Sequence, residues 1–177
     1  MNKIHKKFAD IFVRYFVLLA VSFPSLWVFY FIFTPLTVYP VFYLLSLSFE
    51  TILVKNVVII NNEVPIELIR SCIAGSAYYL LLILNLSIPD IKIKKRIKMI
   101  LISFAALLLI NIARIVLLSF IFLGSFTIFV TAHQFLWYFM STIFVVAIWF
   151  SEVKFFKIKE TPFYSDFKFL RKHSFLN

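Results

Sequence analysis

Long apolar runs alternate with short basic ones along the chain. Residues 15–49 carry no formal charge, and neither do residues 71–89. Between residues 99 and 151 the one formal charge is Arg114. A helix crossing about 30 Å of hydrocarbon needs about 20 apolar residues. Four stretches meet or approach that length: 11–33, with Pro24 as an expected kink; 69–88; 99–123; and 135–150, which extends through uncharged residues to 131–151. The first has too long an apolar run for a signal peptide, and no small-x-small cleavage site follows it. It is expected to remain as an anchor.

The apolar stretch 38–54 is interrupted by Pro40 at its start and Glu50 near its end. Charge parity bears on it. With every basic cluster on the cytoplasmic side, the chain emerges near Pro35 and must still be outside when the stretch 69–88 begins. Residues 38–54 are then expected as a helix lying in the outer interface or dipping in and out. The rival is an external N-terminus with five full crossings. Residues 55–68 read as a small outer hairpin, because Val57, Val58, Ile59 and Ile60 are β-branched and Asn61-Asn62 is a turn signal. The expected fold class is therefore an all-α polytopic membrane protein. It has about four spanning helices, an interfacial or re-entrant helix and an outer hairpin. Residues 1–153 form a single transmembrane domain, and residues 154–177 form a basic, aromatic cytoplasmic tail.

Composition narrows the class further. Of 177 residues, 63% are apolar and 15% charged, with a mean hydropathy of +0.99. A soluble domain has nearer one quarter charged residues, so a water-soluble globule is excluded. Two Gly and 24 Phe exclude collagen-like, linker-like and disordered chains. One Cys excludes an intramolecular disulfide and a zinc site built on several thiolates. The net charge of +10 invites a nucleic-acid reading, but 15 of the 18 basic residues fall within 3–14, 92–98 and 154–172, at the flanks of the apolar runs. That is the positive-inside pattern of a chain whose basic loops face the cytoplasm and anionic lipid. No basic stripe interleaves with aromatics on a polar face, so no nucleic-acid partner is expected.

The candidate chemistry lies in the polar residues within the apolar runs. An arginine in hydrocarbon costs a few kcal/mol on insertion scales, so Arg114 needs a reason. The lone thiol, Cys72, lies early in the second span, and His133 opens the last. Helical rise of about 1.5 Å per residue sets their heights. Counted from Asp90, Lys98 and Glu152 respectively, Cys72 stands about 27 Å, Arg114 about 24 Å and His133 about 28 Å above the inner boundary. All three fall in the outer part of the bilayer, on three different spans. A thiol, an imidazole that takes and returns its proton, and a guanidinium aimed at a developing oxyanion form the minimum set for acyl transfer. Asn111 shares the helix face of Arg114 and is placed to orient its guanidinium. Gly75 and Ser76, beside Cys72, leave room for a helix or an extended peptide to approach. Each residue also has a plainer reading. Cys72 can be a small apolar residue, Arg114 can snorkel to the outer headgroups, and His133 can be interfacial. One Cys and one His leave too few ligands for a metal, and no cofactor is expected. Glu50, Glu63 and Glu67 are read as solvated.

Residues 34–149 resemble the archaeosortase/exosortase family of membrane transpeptidases. The likeness rests on Ser71-Cys72-Ile73-Ala74-Gly75-Ser76 before a long apolar span and on Asn111-Ile112-Ala113-Arg114 in the next. It rests also on His133 at the start of the last span, and on the apolar segment and hairpin before the cysteine. Many bacterial members have Ser-Gly directly after the cysteine. Here Ile73-Ala74 separates it from Gly75, a form more similar to archaeal members. The chain is shorter than the eight-span members and matches their core. The resemblance implies Cys72 as nucleophile with Arg114 and His133 as partners. The implied substrates are secreted surface proteins with a C-terminal signal of short motif, hydrophobic helix and basic tail. They would be cleaved at the outer membrane face and passed to an acceptor such as a lipid. The alternative class is a non-enzymatic membrane scaffold or transporter subunit, in which Arg114 pairs with a partner protein and Cys72 is silent.

Overall fold

The structure, a computed structural model, describes residues 3–137, 141–158 and 171. Most of the expected cytoplasmic tail, 154–177, lies outside the described residues. Among those described, the chain is mostly helical. Helices α1 (Lys3–Ser22) and α2 (Trp27–Ser46) lead into strands β1 (Thr51–Val54), β2 (Val57–Ile60) and β3 (Val64–Glu67). Then follow the single turn α3 (Arg70–Ile73), α4 (Gly75–Leu86), α5 (Ile93–Gly124), α6 (Phe126–Phe135) and α7 (Ser141–Phe155). Two of these helices, α2 and α5, are long and apolar enough to cross a membrane.

The stretch 11–33, expected as one kinked span, is two helices. Pro24 removes a backbone donor and crowds the preceding turn, and Ser25 and Leu26 both adopt left-handed backbone angles (φ 52° and 60°), so the helical path stops and restarts. The expected interfacial or re-entrant helix over 38–54 is also absent. Residues up to Ser46 continue α2, through Pro35 and Pro40, and Thr51–Val54 is a strand. The hairpin expected over 55–68 is present as β2 and β3, and β1 joins it to make a three-stranded antiparallel sheet in the order β1-β2-β3. Lys55 (φ 58°) turns the first connection, and Asn61 and Asn62 (φ 51° and 58°) turn the second, in a conformation that asparagine tolerates better than most residues.

Two apolar clusters hold the elements together. Phe29 and Phe33 of α2 stack on Tyr78 of α4, with ring centroids 6.3 Å and 3.7 Å apart, and meet Phe104 of α5 edge-on. Further along, Val41 and Leu45 of α2 pack with Val58 and Ile60 of the sheet and Ile112 and Ile115 of α5. That second cluster fixes the sheet against the far half of α5.

Hydrogen bonds give the helices their directions. Lys7 pairs with Asp90 at 2.9 Å, Arg14 Nη1 donates to the Leu86 carbonyl at 2.9 Å, and Tyr79 Oη donates to the Leu18 carbonyl at 3.2 Å, so α1 and α4 run antiparallel. Phe122 meets Phe129, Arg114 meets Ser141 and Lys95 meets Phe156, an order that sets α6 and α7 together antiparallel to α5. One end of the bundle therefore gathers Lys7, Asp90, Lys95 and Phe156, and the other carries the sheet. Helix α5 begins six residues before the expected span at Met99, because Arg96 is buried as a cap. Its Nη1 donates to the carbonyls of Asn85 (3.3 Å) and Leu86 (2.8 Å). With Arg14 it places two guanidinium groups on the C-terminus of α4, where unpaired carbonyls favour cations. At the same end, Asn85 Nδ2 donates to Ser103 Oγ (3.3 Å) and to Glu152 Oε2 (3.0 Å), joining α4, α5 and α7.

Candidate active site

The stretch 69–88, expected as one helix, is broken at Ala74, whose left-handed angles (φ 59°, ψ 39°) separate α3 from α4. Cys72 therefore sits on a detached turn between the sheet and α4. Its backbone is held from both sides: the Cys72 N–H donates to the Ile69 carbonyl at 2.8 Å, and its carbonyl accepts from Asn111 Nδ2 at 2.8 Å. Asn111 is thus a positioning residue for Cys72. The expected bond from Asn111 to Arg114 is not made, because the short amide reaches across to the α3 carbonyl.

Ser141 takes that place. Arg114 Nη1 donates to Ser141 Oγ at 3.0 Å, and Ser141 Oγ donates onward to the Leu136 carbonyl at 3.1 Å. Arg114 Nε is buried without a hydrogen-bond partner among the described residues, and no carboxylate there pairs with the guanidinium. One guanidinium N–H is thus fixed in the protein, while Nε is buried and unsatisfied.

His133 lies flat against Phe129, with centroids 5.4 Å apart and planes 8° from parallel, and touches Trp137 edge-on. Stacking fixes the ring plane and leaves its nitrogens at the rim. The three residues named from the sequence come from α3, α5 and α6, and they line one cavity of about 240 Å³. Its other walls are 65–69, Ile115, Leu118, Ser119, Phe122 and Phe129. A second hollow of about 250 Å³, lined by Ile69, Ser71, His133, Gln134 and Trp137, shares Ile69 and His133 with the first.

The small residues beside Cys72 divide. Gly75 is buried, and a Cβ there would stand 2.7 Å from Tyr30 Cζ, so it permits the close approach of α2. The Tyr30 ring also carries the Arg70 guanidinium at 5.4 Å. Ser76 is exposed and lines neither hollow. Glu67, read as solvated, is exposed and also forms part of the cavity wall. Neither Glu67 nor Ser141 carries a spacing signal that would single it out.

Gly75→Ala is expected to push Tyr30 aside and destabilise the fold by about 1 kcal/mol or more. Gly124→Ala, with nothing within 4 Å of the new methyl, is expected to be neutral or slightly stabilising. Thermal unfolding of the detergent-purified chain reads both, and equal losses would contradict the packing described.

No family model matches the chain, and neither the curated proteins nor the solved structures yield a match.

Proposed function

We propose that the chain is a membrane-embedded cysteine transpeptidase of the archaeosortase/exosortase kind. It cleaves a C-terminal sorting signal on secreted surface proteins and transfers them to an acceptor such as a lipid. The observation that carries this reading is the meeting of Cys72, Arg114 and His133, from three elements, on one cavity. In the proposed reaction the Cys72 thiol passes its proton to His133 as sulfur bonds to the peptide carbonyl carbon. The tetrahedral oxyanion takes a hydrogen bond from the Arg114 guanidinium, which lines the cavity. The C–N bond then breaks, and His133 returns the proton to the leaving amine. A hydroxyl or amine of the acceptor attacks the thioester, forming the new ester or amide and restoring the thiol.

The proposed setting is a four-pass arrangement in the cell membrane, with traverses made by α1 with α2, by α3 with α4, by α5, and by α6 with α7. The basic end of the bundle and both termini face the cytoplasm, and the sheet and cavity face outward. Two features support it. Only a third of the apolar window in each of α2 and α5 is buried within the chain, and Phe12, Phe16, Leu19, Phe31 and Leu109 are exposed large apolar side chains that water would not favour. Basic residues from the first two clusters and from the start of the third also gather at one end of the bundle, as a shared cytoplasmic face requires.

Deleting the chain from its native host is expected to leave surface proteins uncut, each retaining a C-terminal helix and basic tail, readable by mass spectrometry of the membrane fraction. In intact wild-type cells a membrane-impermeant methanethiosulfonate is expected to label Cys72, the chain's one cysteine. An unchanged set of protein C-termini after deletion would favour the scaffold class. Labelling that appears only after permeabilisation would reverse the orientation.

A further inference from the structure

We propose that β3 binds an extended peptide as a fourth strand on its open edge, with the main chain of Glu67 making the pairing bonds, and so delivers the peptide to Cys72. The inference rests on the transpeptidase reading, in which an extended peptide is the substrate.

The strand order β1-β2-β3 leaves one side of β3 without a partner strand. Register settles which groups face that side. Val57 stands opposite Glu67 and Val58 opposite Ile66. One step beyond, the Leu68 N–H donates to the Asn56 carbonyl at 2.9 Å, so that pair is of the bonded kind. Antiparallel pairs alternate between bonded and unbonded. The main-chain groups of Val64, Ile66 and Leu68 therefore point to β2, and those of Glu67 point to the open edge. Pro65 is the other outward position and has no N–H to offer. Proline is found at such edge positions, where it blocks indiscriminate pairing. Glu67 is then the one residue of β3 that offers both a donor and an acceptor outward, enough for a single closed pair of bonds to an incoming strand.

That edge is not a remote surface. Residues 65–69 form one wall of the cavity that holds Cys72, Arg114 and His133. Three residues after Ile69 the chain reaches Cys72, whose turn is pinned by Ile69 and Asn111. A strand paired at Glu67 lies along the wall of that cavity. The cavity, about 240 Å³, has room for about eight waters at ~30 Å³ each. That volume matches one or two residues of extended chain. The wall opposite β3, made by Ile115, Leu118 and Phe122, is apolar, and alternation along a strand would send every second side chain toward it. Strand addition of this kind takes its affinity from main-chain bonds and its selectivity from alternate side chains.

The test uses the full-length, detergent-purified chain and a short synthetic peptide spanning the cut site of a surface protein left unprocessed by the deletion strain. Glu67→Pro removes the outward N–H and places a ring on the open edge. It is expected to lower the cleavage rate by about tenfold or more relative to Glu67→Ala, which keeps the main-chain pair. N-methylation of the peptide, one amide at a time, is expected to block cleavage at alternate positions, the signature of a strand; this reading needs no variant to fold. Equal rates for Glu67→Pro and Glu67→Ala, or an N-methyl scan without alternation, would overturn the inference. So would loss of a dimer in Glu67→Pro with cleavage unchanged, which would assign the edge to a second copy of the chain. Cys72→Ala separates this inference from the reading beneath it. If that variant still cleaves the peptide, the transpeptidase reading fails. If it is inert while the edge tests are negative, the edge inference fails by itself.

Discussion

Cys72→Ala is expected to abolish precursor cleavage while the chain stays at wild-type abundance. The main-chain contacts that seat residue 72, to Ile69 and from Asn111, do not involve the sulfur and survive the substitution. No second cysteine exists to take over. Removing the nucleophile of a covalent mechanism costs about 10⁴–10⁶ in rate, leaving what binding and oxyanion stabilisation supply. Cys72→Ser keeps the size of the side chain with a far less acidic group and is expected to lie close to Cys72→Ala. Quantitative comparison of cut and uncut C-termini in cells reads both. Wild-type processing by Cys72→Ala would remove the nucleophile from the mechanism.

The second large effect is expected at Arg114. Arg114→Ala is expected to lower kcat about 10²–10³-fold with a smaller change in KM, as loss of an oxyanion donor does. Arg114→Lys keeps the charge but not the planar fork. One ammonium cannot both hold Ser141 Oγ and present further donors to an oxyanion as the planar fork does, so Lys is expected to recover only a small part of the loss. Ser141→Ala releases Nη1 from its 3.0 Å bond and leaves the fork intact. It is expected to cost less than Arg114→Lys. Full recovery by Lys would mean that charge alone matters at this position, and equal kcat in Arg114→Ala and wild type would leave the guanidinium as a structural group.

The three residues that meet on the cavity were more legible in the sequence than the fold around them. Cys72, Arg114 and His133 stand out because a polar group in an apolar run is conspicuous, and counting helical rise places them at one height. That counting tolerates the break at Ala74, because separated helical pieces that keep the same heading still add their rise. The break itself was hidden. Ala74 is an ordinary helix former, and its left-handed angles come from how α3 joins the sheet to α4. Strand β1 was hidden because a run as short as Thr51-Ile52-Leu53-Val54 looks alike in a strand and in a buried helix. Pro24 announced a kink, but a full stop depends also on the backbone of Ser25 and Leu26. The Ser141 contact with Arg114 spans 27 residues and depends on how α7 docks on α5, which no local pattern records. The buried join of Asn85, Ser103 and Glu152 is of the same kind: each residue alone reads as a polar interruption near the end of a span.

The most direct measurement is acid-quenched mass spectrometry of the purified chain after brief mixing with the cut-site peptide. The mechanism predicts an acyl adduct on the peptide fragment that contains Cys72, released by hydroxylamine and accumulating when acceptor is withheld. Cleavage by the wild-type chain with no adduct on Cys72 at any quench time would contradict it.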